Sequence, residues 1–173
     1  PFPVNLSTLQ ELILSGHSIM MVQSAPEGAA RFISTMVEHN DLCGQFARAF
    51  GNDDFEPPAP FEEMVFVISH HDRGWAELNE NPSLVKETGF PSGLGTTPVS
   101  IGLSTNTKSP DYNEARHLYC GLLSSMHSWG LYHERYGYTD FRVRPGGSTS
   151  VPVNKEYEAE TAAMLDAELA RQD

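Results

Sequence analysis

An apolar run leads directly into four polar side chains near the middle of the chain. Residues 65–75 read VFVISHHDRGW, so a segment suited to a protein core continues without a spacer into His70, His71, Asp72 and Arg73. Charged side chains are costly to bury unless they are paired or bind a metal ion. We therefore expect this segment to place a functional cluster beside the core.

Apolar residues at helical spacing dominate the chain and predict an all-α fold. The four core helices are predicted over residues 26–50, 61–78, 112–137 and 155–172, and a short strand over residues 17–24. The apolar stripe of the first helix is predicted to contain Phe32, Met36, His39, Cys43, Phe46 or Ala47, and Phe50. His39 is therefore expected on the buried face of that helix.

Residues 81–112 differ in character from the segments on either side. They are rich in Gly, Pro, Ser and Thr and show no sustained apolar period. Such a segment inside a compact domain is usually functional. It predicts a long ordered loop or lid between the second and third core helices.

Length and charge narrow the class of protein. A chain of 173 residues suits a single domain, with an N-terminal arm at residues 1–16. The 11 Lys+Arg against 23 Asp+Glu give a net charge of −12, which disfavours nucleic acid and anionic membranes as partners. No apolar run is long enough to cross a bilayer, no signal peptide is recognisable, and two cysteines cannot make a disulfide framework. We expect a cytoplasmic protein that acts on a small molecule, with a homo-oligomer left open.

Three side chains from two predicted helices form a candidate metal site. His71 and Asp72 would bind an ion from the edge of the second helix, and His39 would supply a third ligand from the first. Imidazole and carboxylate together suit Fe, Mn, Co, Ni or Zn better than Ca or Mg. Cys43, four residues after His39, could reach the same ion but is predicted as a core residue. Hydrogen-bonded core histidines without a metal remain the alternative.

Three segments carry a resemblance to a known superfamily. They are HNDLCGQFARAFGN (39–52), ISHHDRGWAELNENP (68–82) and YCGLLSSMHSWGLY (119–132). From about residue 22 onward the chain resembles the HD-domain superfamily of metal-dependent hydrolases, and more closely a bacterial HD-like family known only as a domain of unknown function. The resemblance implies an all-α, HD-domain-like helical bundle, with His39 as the first metal ligand and His71 and Asp72 as the central pair.

The chain departs from the superfamily pattern at the fourth ligand. HD domains close the site with an Asp on a late helix, whereas Asp166 lies in an Ala- and Glu-rich helix that reads as solvated. Either the last helix of the domain is lacking or another residue takes this place. His127, which is predicted to share a helix face with Cys120 and Leu123, is the candidate for a metal ligand or a substrate contact. A structural His127 beside Trp129 is the alternative.

The resemblance implies hydrolysis of a small, anionic, phosphate-ester-like substrate. Asp72 would hold and orient the ion, and Arg73 or His127 would stabilise developing negative charge. Two other functions stay open. One is an HD-type diiron oxygenase that cleaves a C–C or C–P bond with O₂, and the other is a degenerate HD fold that serves as a binding module.

Overall fold

The computed structural model describes residues 21–22, 28–29, 33–87, 89–93, 96–133 and 154–173. Its elements are β1 (Met21–Val22), β2 (Ile33–Ser34), α1 (Met36–Ala49), α2 (Phe61–Ile68), α3 (Ala76–Glu80), α4 (Val99–Arg116), α5 (Leu118–His133) and α6 (Glu158–Arg171), with single 3₁₀ turns at Arg73–Trp75 and Lys155–Tyr157. Apart from the antiparallel β1–β2 pair, these elements are helical, which confirms the all-α prediction. The predicted short strand is confirmed at β1. The predicted arm, residues 1–16, lies outside the described residues.

The chain divides into two compact units. One comprises residues 1–39 and 75–97, and the other comprises residues 40–74 and 98–173. In the first unit, Met36 and Trp75 are buried together and Leu78 packs against them. In the second unit, α5 packs against α2, α4 and α6, and α4 also contacts α6. The candidate site described below lies in the second unit, and the single-domain expectation stays a prediction.

The first core helix begins at Met36 rather than at residue 26, because Thr35 caps it. The Glu38 amide donates to Thr35 Oγ1 at 3.1 Å, and the Thr35 amide donates to a Glu38 carboxylate oxygen at 2.7 Å. This reciprocal pair is a capping box, which satisfies two amides that a helix start leaves without partners. The helix therefore starts directly after β2.

The buried stripe of α1 is smaller and more polar than the sequence predicts. Met36 and Ala47 are buried as expected, whereas Phe46 is 67% exposed and Phe50 is 57% exposed. The prediction for Phe50 is wrong because α1 ends at Ala49. Gly44 is buried on the same stripe, and its small size permits close packing there.

The second core helix ends at Ile68, so the prediction of a continuous helix to residue 78 is wrong. The Ser69 hydroxyl donates to the Val65 carbonyl at 2.7 Å, and the next backbone amide bonds three residues back rather than four. Side chains that bond nearby carbonyls compete with the helical ladder in this way. The backbone continues through a turn at residues 69–72, so the candidate His-Asp pair lies in a turn and not on a helix edge.

A helix occupies much of the segment predicted to be a loop. Residues 99–116 form α4, and only residues 81–98 remain between α3 and α4. The buried face of α4 includes Thr105, Ser109 and Asn113, which recur every four residues. The segment lacks a sustained apolar period because many of its buried positions are filled by polar side chains, with Leu103 and Pro110 as the buried apolar residues. The predicted lid over residues 81–112 is therefore corrected to a shorter connection followed by a helix.

Pro110 lies inside α4, where it has no amide hydrogen to give to the Asn106 carbonyl. The Ser128 hydroxyl of α5 donates to that carbonyl at 2.9 Å instead. This bond satisfies the carbonyl that the proline leaves open, and it also joins α5 to α4. A proline in the helix interior is tolerated here because a neighbouring helix supplies the missing donor.

The predicted third helix, residues 112–137, is two helices. His117 is extended, with φ −166°, and separates the end of α4 from the start of α5. The described part of α5 ends at His133. The predicted fourth helix is confirmed as α6, preceded by the 3₁₀ turn.

Candidate metal centre

Two imidazoles face one carboxylate in the second unit. His71 Nε2 lies 3.2 Å from one oxygen of Asp72, and His127 Nε2 lies 3.7 Å from the other. The two imidazole rings are perpendicular, with centroids 5.0 Å apart. One ligand atom from each residue lies within 4.8 Å of the other two, and each side chain is half-buried or more. The structure thus brings together three of the four predicted metal ligands.

The turn that carries His71 and Asp72 is hydrogen-bonded to α4. The Asn113 side-chain amide donates to the His70 carbonyl at 3.0 Å, and the Gly74 amide donates to Ser109 Oγ at 2.9 Å. A Cβ at position 74 would overlap the α4 backbone, so only glycine permits this approach. The two bonds fix the backbone on both sides of the His-Asp pair.

The orientation of His71 directs one ring nitrogen at Asp72. Its Nδ1 lies 2.8 Å from the Ile68 carbonyl oxygen. Because a carbonyl oxygen only accepts hydrogen bonds, Nδ1 carries a proton and donates it. Nε2 then faces Asp72 and is the atom that can bind an ion. A histidine whose second nitrogen donates to a carbonyl is the usual arrangement at metal sites.

The electrostatics of the cluster favour an ionised Asp72. Burial raises the pKa of this carboxyl, but the hydrogen bonds and charges of His127 and His71 outweigh it and hold the pKa well below its usual range. For His71, burial lowers the pKa, yet the Asp72 carboxylate and the Ile68 carbonyl raise it overall. An ionised carboxylate between two imidazoles fits a divalent transition metal, because these are borderline nitrogen and oxygen donors.

A cavity of about 450 Å³ opens beside the cluster. The residues that line it are Cys43, Met64, Val67, Ile68, His71, Leu123, Ser124 and His127. Most of this lining is apolar, and its possible metal-ligand groups include the two imidazoles and the Cys43 thiol. A cavity of this size and character suits a small molecule.

Cys43 reaches the cavity because α1 approaches the turn closely. A Cβ on Gly44 would overlap the Ser69 hydroxyl, so the glycine allows the helix to lie against the turn. Cys43 Sγ lies within 4.8 Å of a ring nitrogen of His71. Burial raises the pKa of the Cys43 thiol, and the Asp72 charge raises it further. Cys43 is half-buried at the cavity rather than a fully buried core residue.

His39, the remaining predicted ligand, lies in α1 one helical turn before Cys43. Residues four apart share one face of a helix, so the register places both on the same side of α1. His39 belongs to the first compact unit. Its role as a ligand stays a prediction.

The other predicted residues lie away from the cavity lining. Arg73 is exposed, with its guanidinium carbon 5.3 Å from the centre of the Tyr112 ring. His70 stacks on Phe66 at 4.3 Å and lines a second cavity of about 400 Å³. Asp166 is exposed on α6, in agreement with the prediction that this helix is solvated. The role of Arg73 at a substrate stays a prediction.

Polar residues that support the site were not predicted from the sequence. Asn113 is fully buried, and its side-chain nitrogen, with two hydrogens to donate, lies within 3.2 Å of the Ser109 carbonyl, Ser124 Oγ and the His70 carbonyl of the turn. The signal was the four-residue spacing of small polar residues in α4. A period of apolar residues does not reveal this spacing, because the residues that repeat are polar.

The fold and the cluster define a helical protein with a candidate site for a divalent metal ion. In the part of the chain that the structure describes, no helix is both long and apolar enough to cross a membrane. A family model described as "Protein of unknown function (DUF3891)" matches residues 20–173, and the chain belongs to this family. No curated protein and no solved structure matches the chain. The predicted relationship to a family of unknown function is thus confirmed, whereas membership of the HD superfamily remains a prediction.

Proposed function

We propose that this protein is a metal-dependent hydrolase of HD type that acts on a small, anionic, phosphate-ester-like substrate. The observation that carries the proposal is the Asp72 carboxylate held between the imidazoles of His71 and His127, both of which line a cavity. The order of a helical His, an apolar run and a His-Asp pair supports the HD assignment. His127 would take the place of the late Asp with which HD domains close the site.

The ligand atoms for the ion would be His71 Nε2, an Asp72 oxygen and His127 Nε2, with His39 as a predicted fourth ligand. A bound divalent ion would supply Lewis acidity to the scissile group and lower the pKa of water. Asp72 fits the role of anchor because its carboxylate stays ionised. The Ile68 carbonyl orients His71 through Nδ1 and keeps Nε2 directed at the site.

The cavity determines which substrates fit. Of the described residues that line it, none is Arg or Lys, so attraction for an anionic group would come from the ion. The apolar wall, formed by residues such as Val67 and Leu123, excludes water around the reacting group. His127 lies at the wall, where one ring nitrogen can give or take a proton. These features suit a compact ester with one anionic group.

The proposal is tested with metal-depleted protein reloaded separately with Zn²⁺, Mn²⁺, Fe²⁺ and Co²⁺. Generic aryl phosphomonoesters and phosphodiesters serve as probes. We expect hydrolysis with at least one ion, and Asp72→Asn or His127→Ala should lower kcat/KM about 10- to 100-fold or more. Asp166→Asn, on the exposed face of α6, is the matched control and should retain activity. Equal activity in Asp72→Asn and the unmodified protein would exclude this site.

A diiron oxygenase is the second candidate, and the position of His127 is the observation that favours it. An imidazole beyond the predicted central pair faces Asp72 at 3.7 Å, and additional histidines are what this alternative requires. Two irons per chain, a new absorption band after oxidation and substrate-dependent O₂ consumption would support the oxygenase. A single ion with hydrolysis of the ester probes would support the hydrolase.

A further inference from the structure

Among the described residues that line the metal-site cavity, Cys43 is the one thiol. It lines the same cavity as His71 and His127, and its Sγ lies within 4.8 Å of a His71 ring nitrogen. The second described cysteine, Cys120, is fully buried, and its sulfur lies 3.6 Å from the Glu63 carbonyl. The two cysteines therefore provide an internal comparison.

His71 takes part in two clusters of possible metal ligands. One cluster includes Cys43, and the other consists of His71, Asp72 and His127. His71 Nδ1 is engaged by the Ile68 carbonyl, so the ring has one lone pair, on Nε2, to give to an ion. A single ion bound there would face Asp72, and the thiol lines the same cavity as His71. Ligand atoms around a tetrahedral ion are roughly 3.3 to 3.8 Å apart, given bonds of about 2.0 to 2.3 Å. If Cys43 Sγ enters the shell, it would lie at this distance from each of the other ligand atoms.

Charge balance gives a second argument. A thiolate and a carboxylate together neutralise a divalent cation, and neutral imidazoles add no charge. The cavity wall is largely apolar, with Val67, Ile68 and Leu123 among its residues. A neutral assembly is much less costly to bury there than one with a residual positive charge.

We propose that Cys43 is a thiolate ligand of the ion held by His71, Asp72 and His127, which makes the site selective for thiophilic ions. The inference rests on the proposed metal site and deepens it. A sulfur ligand favours Zn²⁺, Fe²⁺ or Co²⁺ and disfavours Mg²⁺, Ca²⁺ and Mn²⁺. The thiol gives up its proton to solvent when the ion binds.

Cobalt substitution tests the inference without an activity assay. Metal-depleted protein is titrated anaerobically with Co²⁺, and the absorption spectrum is followed. We expect visible d–d bands together with a near-ultraviolet sulfur-to-cobalt charge-transfer band. Cys43→Ser should lose the charge-transfer band and keep the d–d bands, whereas Cys120→Ser, the matched control, should keep both.

The outcomes separate this inference from the proposed function. Visible bands without the charge-transfer band in the unmodified protein would overturn the Cys43 assignment and leave the metal site in place. Absence of all cobalt bands would overturn both. If Cys43→Ser does not fold, alkylation of the unmodified protein tests whether Cys43 binds the ion. Co²⁺ should slow alkylation of Cys43 about tenfold or more, as read by peptide mass spectrometry, and an unchanged rate would overturn the assignment.

Discussion

Gly44 of α1 lies so close to Ser69 that a Cβ at position 44 would overlap the serine hydroxyl. Ser69 is itself held, because its hydroxyl donates to the Val65 carbonyl at 2.7 Å. The contact sets the distance between α1 and the turn that carries His71. The absence of a side chain at Gly44 therefore contributes to the geometry of the candidate metal centre.

Substituting Gly44 by Ala should destabilise the protein by about 1–3 kcal/mol, because the new methyl group forces the helix or the turn to move. The cost outweighs the gain of up to about 1 kcal/mol that Ala gives in a helix. Urea unfolding measures the change. Gly102→Ala is the control, since a Cβ there meets open space in α4. A Gly44→Ala protein as stable as Gly102→Ala would contradict the account of this contact.

Asn113→Ala should destabilise the protein by about 2–3 kcal/mol. The substitution removes the side-chain donor to the His70 and Ser109 carbonyls and leaves space at a fully buried position. Because the amide holds the turn, metal affinity should fall together with stability. Asn81→Ala is the control, because it removes the same side-chain amide from an exposed position. Unfolding midpoints and metal titrations on both variants measure the effects. An Asn113→Ala protein that binds metal as tightly as the unmodified protein would contradict the role of α4 in positioning the turn.

The sequence predicted the helical class and the residues of the cluster but not the local geometry. His71 and Asp72 were recognisable because charged groups directly after an apolar run need partners. The helix end at Ser69 was missed because it depends on a hydroxyl bonding to a carbonyl, which an apolar period does not reveal. The helix α4 was missed for a related reason, since its buried side chains, such as Ser109, are polar. Its partners supply the hydrogen bonds that make such burial stable.

Glu168 should make stability depend on pH. It is fully buried on α6, and Arg171 is shared among Glu168, Asp111 and Glu114. Burial, with the nearby Asp111 charge, raises the pKa of Glu168 from 4.5 to about 7. The folded protein therefore binds more protons than the unfolded chain between these values. The free energy of unfolding should fall by up to about 3 kcal/mol as pH rises through this window, and then level off.

Glu168→Gln isolates this contribution, because the amide stays neutral at every pH. The difference in unfolding free energy between Glu168→Gln and the unmodified protein should grow in favour of the variant from pH 5 to pH 8. Glu160→Gln, exposed on the same helix, should parallel the unmodified protein. Parallel curves for Glu168→Gln as well would show that the carboxyl is ionised throughout.

Metal binding should weaken on acidification. The pKa of His71 is raised in the protein without metal, so its Nε2 is protonated at mildly acidic pH and must lose that proton before it binds an ion. Below that pKa, affinity should fall up to about tenfold per pH unit for each proton displaced. Calorimetric titration at pH 6 in two buffers of different ionisation enthalpy counts the protons released. We expect about one or more per ion, and a count of zero would contradict the role of His71.

The central claim is that His71 and Asp72 hold a metal ion. Elemental analysis of protein purified without added metal, beside the His71→Ala, Asp72→Ala double variant, tests it most directly. We predict about one divalent transition-metal ion per chain in the unmodified protein and loss of that ion in a double variant whose circular dichroism remains helical. The same metal content in both proteins would contradict the claim.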